Sequence, residues 1–112
     1  MREARERLLD IIEAIEILEK SIPASKKLHE LDEIVFLGIV RCIEIIGESC
    51  RALPEDFKAK HTTIPWNKII GMRHVLIHQY FKIDIDKVEK AISNDIPILK
   101  EKILKILTNP SL

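Results

Sequence analysis

Residues 8–18 read LLDIIEAIEIL, and their apolar positions recur every three or four residues. This is the period of an α-helix with one apolar face, because successive residues turn by about 100° around a helix axis. The apolar face consists of Leu8, Ile11, Ile12, Ile15 and Leu18, and the other faces carry Glu6, Asp10, Glu13, Glu16 and Glu19. We therefore predict an amphipathic first helix over about Arg2–Lys20.

Prolines and polar clusters divide the next part of the chain. Ser21–Ser25 contains a proline and predicts a break. A longer second helix is predicted over about Ser25–Ala52, and its apolar residues are too widely spread for one stripe, so it should be covered on more than one side. Leu53–Pro65 has two prolines and no apolar period, which predicts a loop. A short third helix follows over about Trp66–Tyr80.

The C-terminal part predicts one or two more helices. Asp84 or Asp86 is expected to cap a fourth helix. Its apolar side consists of Val88, Ala91 and Ile92, and a final helical piece carries Leu99, Ile103, Leu104 and Leu107. Between them, Ser93–Pro97 predicts a kink or a restart, since proline is tolerated in the first turn of a helix and costly in its interior. The pattern predicts one all-α domain over residues 1–112, an antiparallel bundle of four to five helices. Such bundles host many functions.

Composition narrows the class of protein. The chain has 112 residues, 46% of them apolar, and its 18 Lys and Arg balance 18 Asp and Glu. A chain of this size buries roughly two thirds of its unfolded surface, so a partner subunit would add to its core. The longest apolar run, Ile34–Val40, is well below the ~20 residues of a membrane span. Met1–Arg7 is charged and unlike a signal peptide, so we expect a cytoplasmic protein without a membrane segment.

The two cysteines are expected to stay reduced. Cys42 and Cys50 are eight residues apart on the second predicted helix, which separates them by about 12 Å along its axis. This separation is too long for a disulfide between them. We predict two buried thiols.

The neutral total conceals a basic segment. No acidic residue lies between Asp56 and Asp84, whereas the other 85 residues carry 13 basic and 18 acidic groups. The positive residues of this segment are Lys58, Lys60, Lys68, Arg73 and Lys82, joined by His61, His74 and His78. Four of the five aromatic residues lie here as well: Phe57, Trp66, Tyr80 and Phe81. Phosphates attract Lys and Arg, and bases stack on aromatic rings, so RNA is the candidate ligand. The alternative is a chance composition with Trp66 and Phe81 in the core.

Arg73 occupies an unusual place on the third predicted helix. Its neighbours within about 60° around the helix axis are Ile69, Leu76, Ile77 and Tyr80. A guanidinium stays charged on such a face and needs a carboxylate, a phosphate or a partner subunit. The second helix offers a polar stripe formed by Arg41, Glu44, Glu48 and Arg51. A structural ion pair from Arg73 to Glu44 or Glu48 and an interface facing a cleft are both open at this point.

His74 and His78 are four residues apart on the same predicted helix. This spacing could hold a metal, but no cysteine or carboxylate stands nearby in the sequence to complete a site. A histidine with a pKa near ~6.5 exchanges protons at neutral pH, as acid/base cleavage of a phosphodiester requires. The alternative for either residue is a purely structural histidine. Tyr80 adds a phenol that could bond phosphate or accept a modifying group.

Gly71–Phe81, GMRHVLIHQYF, resembles the R-x4-H-x-Y signature of HepT-like HEPN proteins, the toxins of HEPN/MNT toxin–antitoxin modules. The resemblance extends to Ile46–Ser49, Ile64–Trp66 and Asp95–Pro97, and so covers nearly the whole chain. It implies an α-helical bundle of HEPN type that forms a homodimer. The two motifs of the dimer would meet in a cleft and form a metal-independent endoribonuclease site that needs no cofactor.

The resemblance also implies roles for single residues. Arg73 would bind and polarise the scissile phosphate of RNA, and His78 would act as general base or acid for attack by the neighbouring 2′-hydroxyl. His74 would assist in positioning or protonation. Tyr80 corresponds to the tyrosine that a cognate minimal nucleotidyltransferase antitoxin modifies with AMP, which silences the nuclease. The added nucleotide would bring negative charge and bulk to a phosphate-binding cleft.

Helix geometry limits how one site could use both motif residues. Arg73 and His78 are separated by about 140° around an ideal helix. They can address one phosphate only if the helix ends or bends between them, or if two subunits contribute different members. We favour the shared site. The rival hypotheses are a non-catalytic subunit that binds nucleotide or docks a minimal nucleotidyltransferase, and a structural bundle with a buried Arg–Glu pair.

Overall fold

The computed structural model of the chain describes residues 2–23, 27–78 and 85–109, with the side chains of residues 2, 3 and 73–78 outside the description. The α-helices in chain order are α1 (Arg2–Ser21), α2 (Glu33–Ala52), α3 (Glu55–Lys60), α4 (Trp66–His78), α5 (Ile85–Lys90) and α6 (Ile96–Leu107). A 3-10 turn covers Leu28–Glu30, and a π-helical segment, Ala91–Asp95, joins α5 to α6. With α5 and α6 taken as one continuous helix, the described residues form five helices. The all-α prediction is confirmed.

Helix α1 matches its prediction and packs antiparallel to α2. Near the start of α1, Leu8 shares a buried cluster with Cys50 from the end of α2. Near the end of α1, Leu18 shares a second cluster with Ile39 and Val40 from the first half of α2. The predicted apolar stripe of α1 is therefore the stripe that the bundle buries.

Helix α6 lies along α1 in the opposite direction. The Arg5 guanidinium donates to the Leu107 carbonyl at 3.4 Å, and Lys100 Nζ lies 2.7 Å from Glu19 Oε1 near the other end of the pair. The buried side of α6 joins the cluster of α1 with Ile96, Leu99, Ile103 and Ile106. The bundle is antiparallel through both α2 and α6.

The second helix begins eight residues later than predicted. Asp32 is its N-cap, and its Oδ1 accepts a hydrogen bond from the Ile34 amide at 2.9 Å. A carboxylate in this position satisfies an amide that has no partner within the helix, which fixes the start of α2 at Glu33. The preceding Leu28–Glu30 forms a 3-10 turn whose Leu28 is buried. The predicted start at Ser25 was therefore wrong.

The predicted loop Leu53–Pro65 contains a short helix. Helix α3 starts directly after Pro54, where a proline costs no hydrogen bond. Phe57 lies at its centre and is buried in the cluster of α1 and α6. The sequence shows no apolar period here because the helix has only six residues and a single buried one, Phe57.

The end of the bundle follows the prediction in outline. The sequence predicted α4 to Tyr80, and residues 79–84 lie outside the described part of the chain. Helix α5 begins at Ile85 with Asp86 in its first turn rather than at the cap, and Asp84 is not described. The π-helical segment then leads into α6, which carries Pro97 in its first turn. The kink or restart predicted at Ser93–Pro97 corresponds to this π-helical segment, where the helix is irregular but does not stop.

The two cysteines are free and buried, as predicted. Burial raises the pKa of the Cys50 thiol to about 12, and the nearby Lys58 ammonium opposes this with a smaller effect. Burial also raises the pKa of Cys42, against the opposing charge of Arg41. Across the described residues, no helix combines the length and the hydropathy that crossing a bilayer requires.

Candidate functional site

Helix α4 carries the three motif positions that the sequence selected. It continues as an α-helix from Trp66 to His78, so it does not end between Arg73 and His78. Five residues of regular helix separate these positions by about 7.5 Å along the axis and about 140° around it. The side chains of Arg73, His74 and His78 lie outside the described residues, and so does Tyr80. One of the three ways in which Arg73 and His78 could address one phosphate, an end of the helix between them, is therefore excluded. A bend and a shared site remain.

Position 73 belongs to the inner face of α4 by register. It follows Trp66 by seven residues and Ile69 by four, and both of these side chains are buried in the main core cluster. The partly buried Met72 packs against both core clusters, which fixes the middle of α4 against α2. The backbone thus agrees with the prediction that Arg73 stands among apolar neighbours.

Positions 74 and 78 belong to another face of α4. Position 74 follows Asn67 by seven residues and Ile70 by four, and position 78 continues this row by one more turn. Asn67 and Ile70 line an open groove between α3 and α4. The two histidine positions therefore continue the row that borders the groove.

The predicted polar stripe exists on α2. The Arg41 guanidinium lies 3.4 Å from Glu44 Oε2 and 3.5 Å from Glu48 Oε1, so it bridges both carboxylates. Neither glutamate is deeply buried, since their side chains are 24% and 42% exposed. Whether either carboxylate also contacts Arg73 lies outside the described side chains. The stripe ends at Arg51, which lines the groove beside α4.

The groove has a volume of about 680 Å³ and lies where α2, α3 and α4 meet. Its charged side chains are Arg51, Glu55, Lys58 and Lys68, and its neutral lining includes Thr62, Ile64, Asn67 and Ile70. Lys58 and Lys68 belong to the predicted basic segment, whereas Arg51 was predicted only as the last residue of the polar stripe of α2. The signal was weak because Arg51 precedes the acid-free segment and joins it only when α3 folds back.

The aromatic residues near the groove belong to the core. Phe57 and Trp66 are both buried, with ring centroids 6.3 Å apart. The Trp66 indole donates to the His61 carbonyl at 3.1 Å, and the His61 ring packs on Phe57 at 4.7 Å. Of the two alternatives for these aromatic residues, burial in the core is the one observed for Trp66, and Phe57 is buried as well, because each ring fills the space between α3 and α4. Phe81 is outside the described residues.

A metal site finds no support among the side chains that are described. No group of three His, Cys, Asp or Glu among them is arranged to hold an ion. The chemistry that the described surface offers is electrostatic: cations at the mouth of a groove, next to a helix with two histidine positions.

Comparison with known proteins identifies relatives along most of the chain. Residues 11–106 match the family described as Ribonuclease HepT-like. A probable ribonuclease HepT from Thermococcus cleftensis is 39% identical over 106 residues, which cover 94% of this chain and 96% of that protein. No solved structure gives a significant match.

Two proteins of Methanocaldococcus jannaschii add to the comparison. One, provisionally named an RNase, is 32% identical over 105 residues, or 91% of this chain and 94% of that protein. The other has a name that joins a gamma-glutamylcyclotransferase to a provisional RNase. It is 39% identical over 99 residues, which are 87% of this chain and 44% of that protein. With the profile match spanning most of its length, the chain belongs to the HepT-like ribonuclease family.

Proposed function

We propose that this protein is a metal-independent endoribonuclease toxin of a HEPN/MNT toxin–antitoxin module, with its R-x4-H site at the interface of a homodimer. The observation that carries the proposal is the course of α4. This helix holds Arg73 and His78 on different faces and runs beside a groove lined by cations. Membership of the HepT-like ribonuclease family supports the same reading.

The proposed reaction transfers the phosphoryl group within the RNA strand. The 2′-hydroxyl oxygen attacks the adjacent phosphorus, and His78 takes the hydroxyl proton as general base. The bond from phosphorus to the 5′-oxygen breaks, and that oxygen leaves with a proton from an acid, for which His74 is the nearest candidate in sequence. The products are a 2′,3′-cyclic phosphate and a 5′-hydroxyl. Arg73 stabilises the charge that develops on the phosphate oxygens.

The proposed dimer accounts for the geometry of the two motif residues. Because Arg73 and His78 are about 140° apart around α4, one phosphate can meet an arginine from one subunit and a histidine from its partner. The outer face of α2 supports a second copy. Ile34 is 75% exposed and Leu37 is 48% exposed there, and Gly38 has open space where a side chain would project. Exposed apolar groups around a helical glycine suit close approach of another helix.

The first test is cleavage of RNA by the purified chain. Arg73→Ala and His78→Ala are expected to abolish cleavage and relieve growth arrest while the thermal unfolding temperature stays unchanged. Lys105→Ala removes a charge of the same sign from the exposed side of α6 and is expected to cut like the parent. A parent protein that cuts no RNA in the absence of its partner would instead indicate the non-catalytic docking subunit. Unfolding caused by Arg73→Ala would indicate a structural Arg–Glu pair.

The second test asks whether the site is shared. Arg73→Ala and His78→Ala subunits are unfolded together and refolded as a mixture. If each site takes its arginine and its histidine from different subunits, mixed dimers regain one intact site, and the mixture recovers about a quarter of the parent activity. If both residues act within one subunit, the mixture stays inactive.

The third test concerns silencing. AMP on Tyr80 would add negative charge next to a site that binds phosphate, so the modified protein is expected to be inactive. Co-expression with a neighbouring minimal nucleotidyltransferase should add AMP-sized increments to the intact mass, and Tyr80→Phe should remove them. An unchanged mass of the parent chain contradicts this part of the proposal.

A further inference from the structure

The groove beside α4 has a fixed positive charge at its base. The Lys58 side chain is 10% exposed, and its ammonium lies 3.2 Å from Glu55 Oε1 and 3.4 Å from the Arg51 carbonyl. A charge held in a partly desolvated place acts more strongly on a ligand than one in open water.

Two further cations stand at the groove with their side chains in solvent. Arg51 is exposed, and among the residues that the structure describes no carboxylate lies within ion-pair distance of it. Lys68 is 67% exposed and lies 3.1 Å from Asp95 Oδ1. Against them, the lining contains one described carboxylate, Glu55, whose side chain is 90% exposed. The lining is therefore net positive and has a guanidinium available for a new anion.

The row of α4 residues that lines the groove leads along the helix toward the motif positions. Asn67 and Ile70 belong to its lining, and positions 74 and 78 follow them in the same row of α4. The distance from Asn67 to position 78 is about 16 Å along the helix axis. A polymer of phosphates held at the groove could therefore extend along α4 to the motif, whereas a single nucleotide at the motif would not fill both places.

We infer that this groove binds the phosphates of the RNA strand beyond the cleaved bond, with Arg51 as the main contact and Lys58 and Lys68 as supporting charges. The inference rests on the proposed ribonuclease function and adds a binding subsite to it. Because Phe57 and Trp66 are buried, no ring of this pair is available for base stacking. Binding at the groove should therefore be tolerant of sequence and sensitive to salt.

The experiment measures binding of a fluorescent single-stranded oligoribonucleotide to full-length His78→Ala protein, in which the RNA stays intact. Adding Arg51→Ala is expected to weaken binding at least several-fold. It should also make the negative slope of log affinity against log salt shallower by about 0.7, which is the change for one lost phosphate contact on a single strand. Lys105→Ala in the same background is the matched control and should change neither quantity. Arg51→Lys should restore most of the binding, and Glu55→Gln should strengthen it.

A second readout separates binding from chemistry. In the otherwise unchanged enzyme, Arg51→Ala should raise KM for the oligoribonucleotide while kcat/KM for a dinucleotide stays at the parent value, since a dinucleotide does not reach the groove. Thermal unfolding is the control for the fold: Arg51→Ala and the parent should unfold at the same temperature.

The outcomes distinguish the groove from the catalytic proposal. If Arg51→Ala affects RNA binding no more than Lys105→Ala does, the groove inference is overturned and the nuclease proposal stands. If the parent binds RNA through Arg51 but never cuts it, the groove inference stands and the catalytic proposal falls. If the chain binds no RNA, both are overturned. If Arg51→Ala weakens the binding of an acidic protein segment and leaves RNA binding unchanged, the groove inference is overturned as well.

Discussion

The two faces of α2 differ in what covers them. The inner face, with Ile39, Ile43, Ile46 and Cys50, is fully enclosed by α1, α4 and α6 or their loops. The outer face begins with the exposed Ile34 and Leu37 and continues into the Arg41–Glu44–Glu48 cluster. Both faces are apolar in their first half, so hydropathy does not separate them. The difference lies in whether another part of the same chain reaches the helix.

This contrast assigns different roles to the two faces. The inner face stabilises the folded subunit, because the other helices of the same subunit remove its side chains from water. The outer face contributes little to the stability of a single subunit, and in the proposed dimer it is the face that a second copy would cover. Substitutions on the two faces should therefore have separable effects.

The largest effect is expected from the inner face. Ile46→Ala removes a side chain that is fully buried and should lower the free energy of unfolding by about 2–5 kcal/mol. Leu37→Ala on the outer face should cost less than about 1 kcal/mol in dilute protein. Urea denaturation of both variants measures this. Equal losses would contradict the contrast, and a loss for Leu37→Ala that grows with protein concentration would mark the outer face as a subunit interface.

A smaller effect on the inner face should depend on pH. The folded chain holds the Cys50 pKa at about 12, above the ordinary value of 9.0. Between these values the unfolded chain releases the thiol proton and the folded chain keeps it, so stability falls as the pH rises above 9. The loss approaches about 1.4 kcal/mol for each pH unit in that window.

Urea denaturation across this pH range tests the thiol directly. Cys50→Ala lacks the group and should show a shallower decline than the parent. Other groups titrate in both proteins, so the difference between the slopes is the quantity that counts. Parallel declines in the two proteins would contradict the assignment to Cys50.

The start of α2 should contribute about as much as one helix cap. Asp32→Ala removes the carboxylate that accepts from the Ile34 amide and should cost about 1 kcal/mol. Asp32→Asn keeps an acceptor and should retain most of the stability. Thermal unfolding of the two variants checks this. If both lose the same amount, the helix start is fixed by something other than the cap.

The smallest effect should be a gain on the outer face. Gly38 lies inside α2 with nothing within 4 Å of an added Cβ, so Gly38→Ala should stabilise the dilute chain by roughly 0.5–1 kcal/mol. Size-exclusion chromatography with light scattering follows the dimer. If Gly38→Ala stabilises the chain and also leaves the dimer and RNA cleavage unchanged, close approach of a second α2 at this glycine is contradicted.

Several elements were predictable because their signals are local. The stripe of Leu8, Ile11 and Ile15 predicted α1, and Pro97 predicted the irregularity before α6. The start of α2 was missed because an apolar period extends across Leu28 and Leu31, whereas the Asp32 cap acts on a single amide. Helix α3 was missed because its support comes from α1 and α6, far away in sequence.

The candidate site also has features that were predictable from sequence and features that were not. The motif Arg73, His78 and Tyr80 was found from sequence, and the assigned roles of all three remain predictions. The cluster of Arg41 with Glu44 and Glu48 was predicted as a stripe and is observed as a set of ion pairs. The sequence left Trp66 open between base stacking and the core, because a tryptophan in a basic segment has the same appearance in sequence whether it faces a ligand or a core, and the structure places it in the core.

Residue order alone specified α1, the course of α4, the family and the positions of the motif, because helical period and a short signature depend on residues within a few turns of one another. The fold decided which apolar side of α2 is enclosed, that Phe57 and Trp66 are core residues, and that Arg51 and Lys58 meet at one groove. The first two outcomes depend on contacts with α1 and α6, tens of residues away in the sequence, and the third depends on how the chain turns between α2 and α3. The free energy of such contacts comes from the surface that distant segments remove from water together, which no local pattern contains.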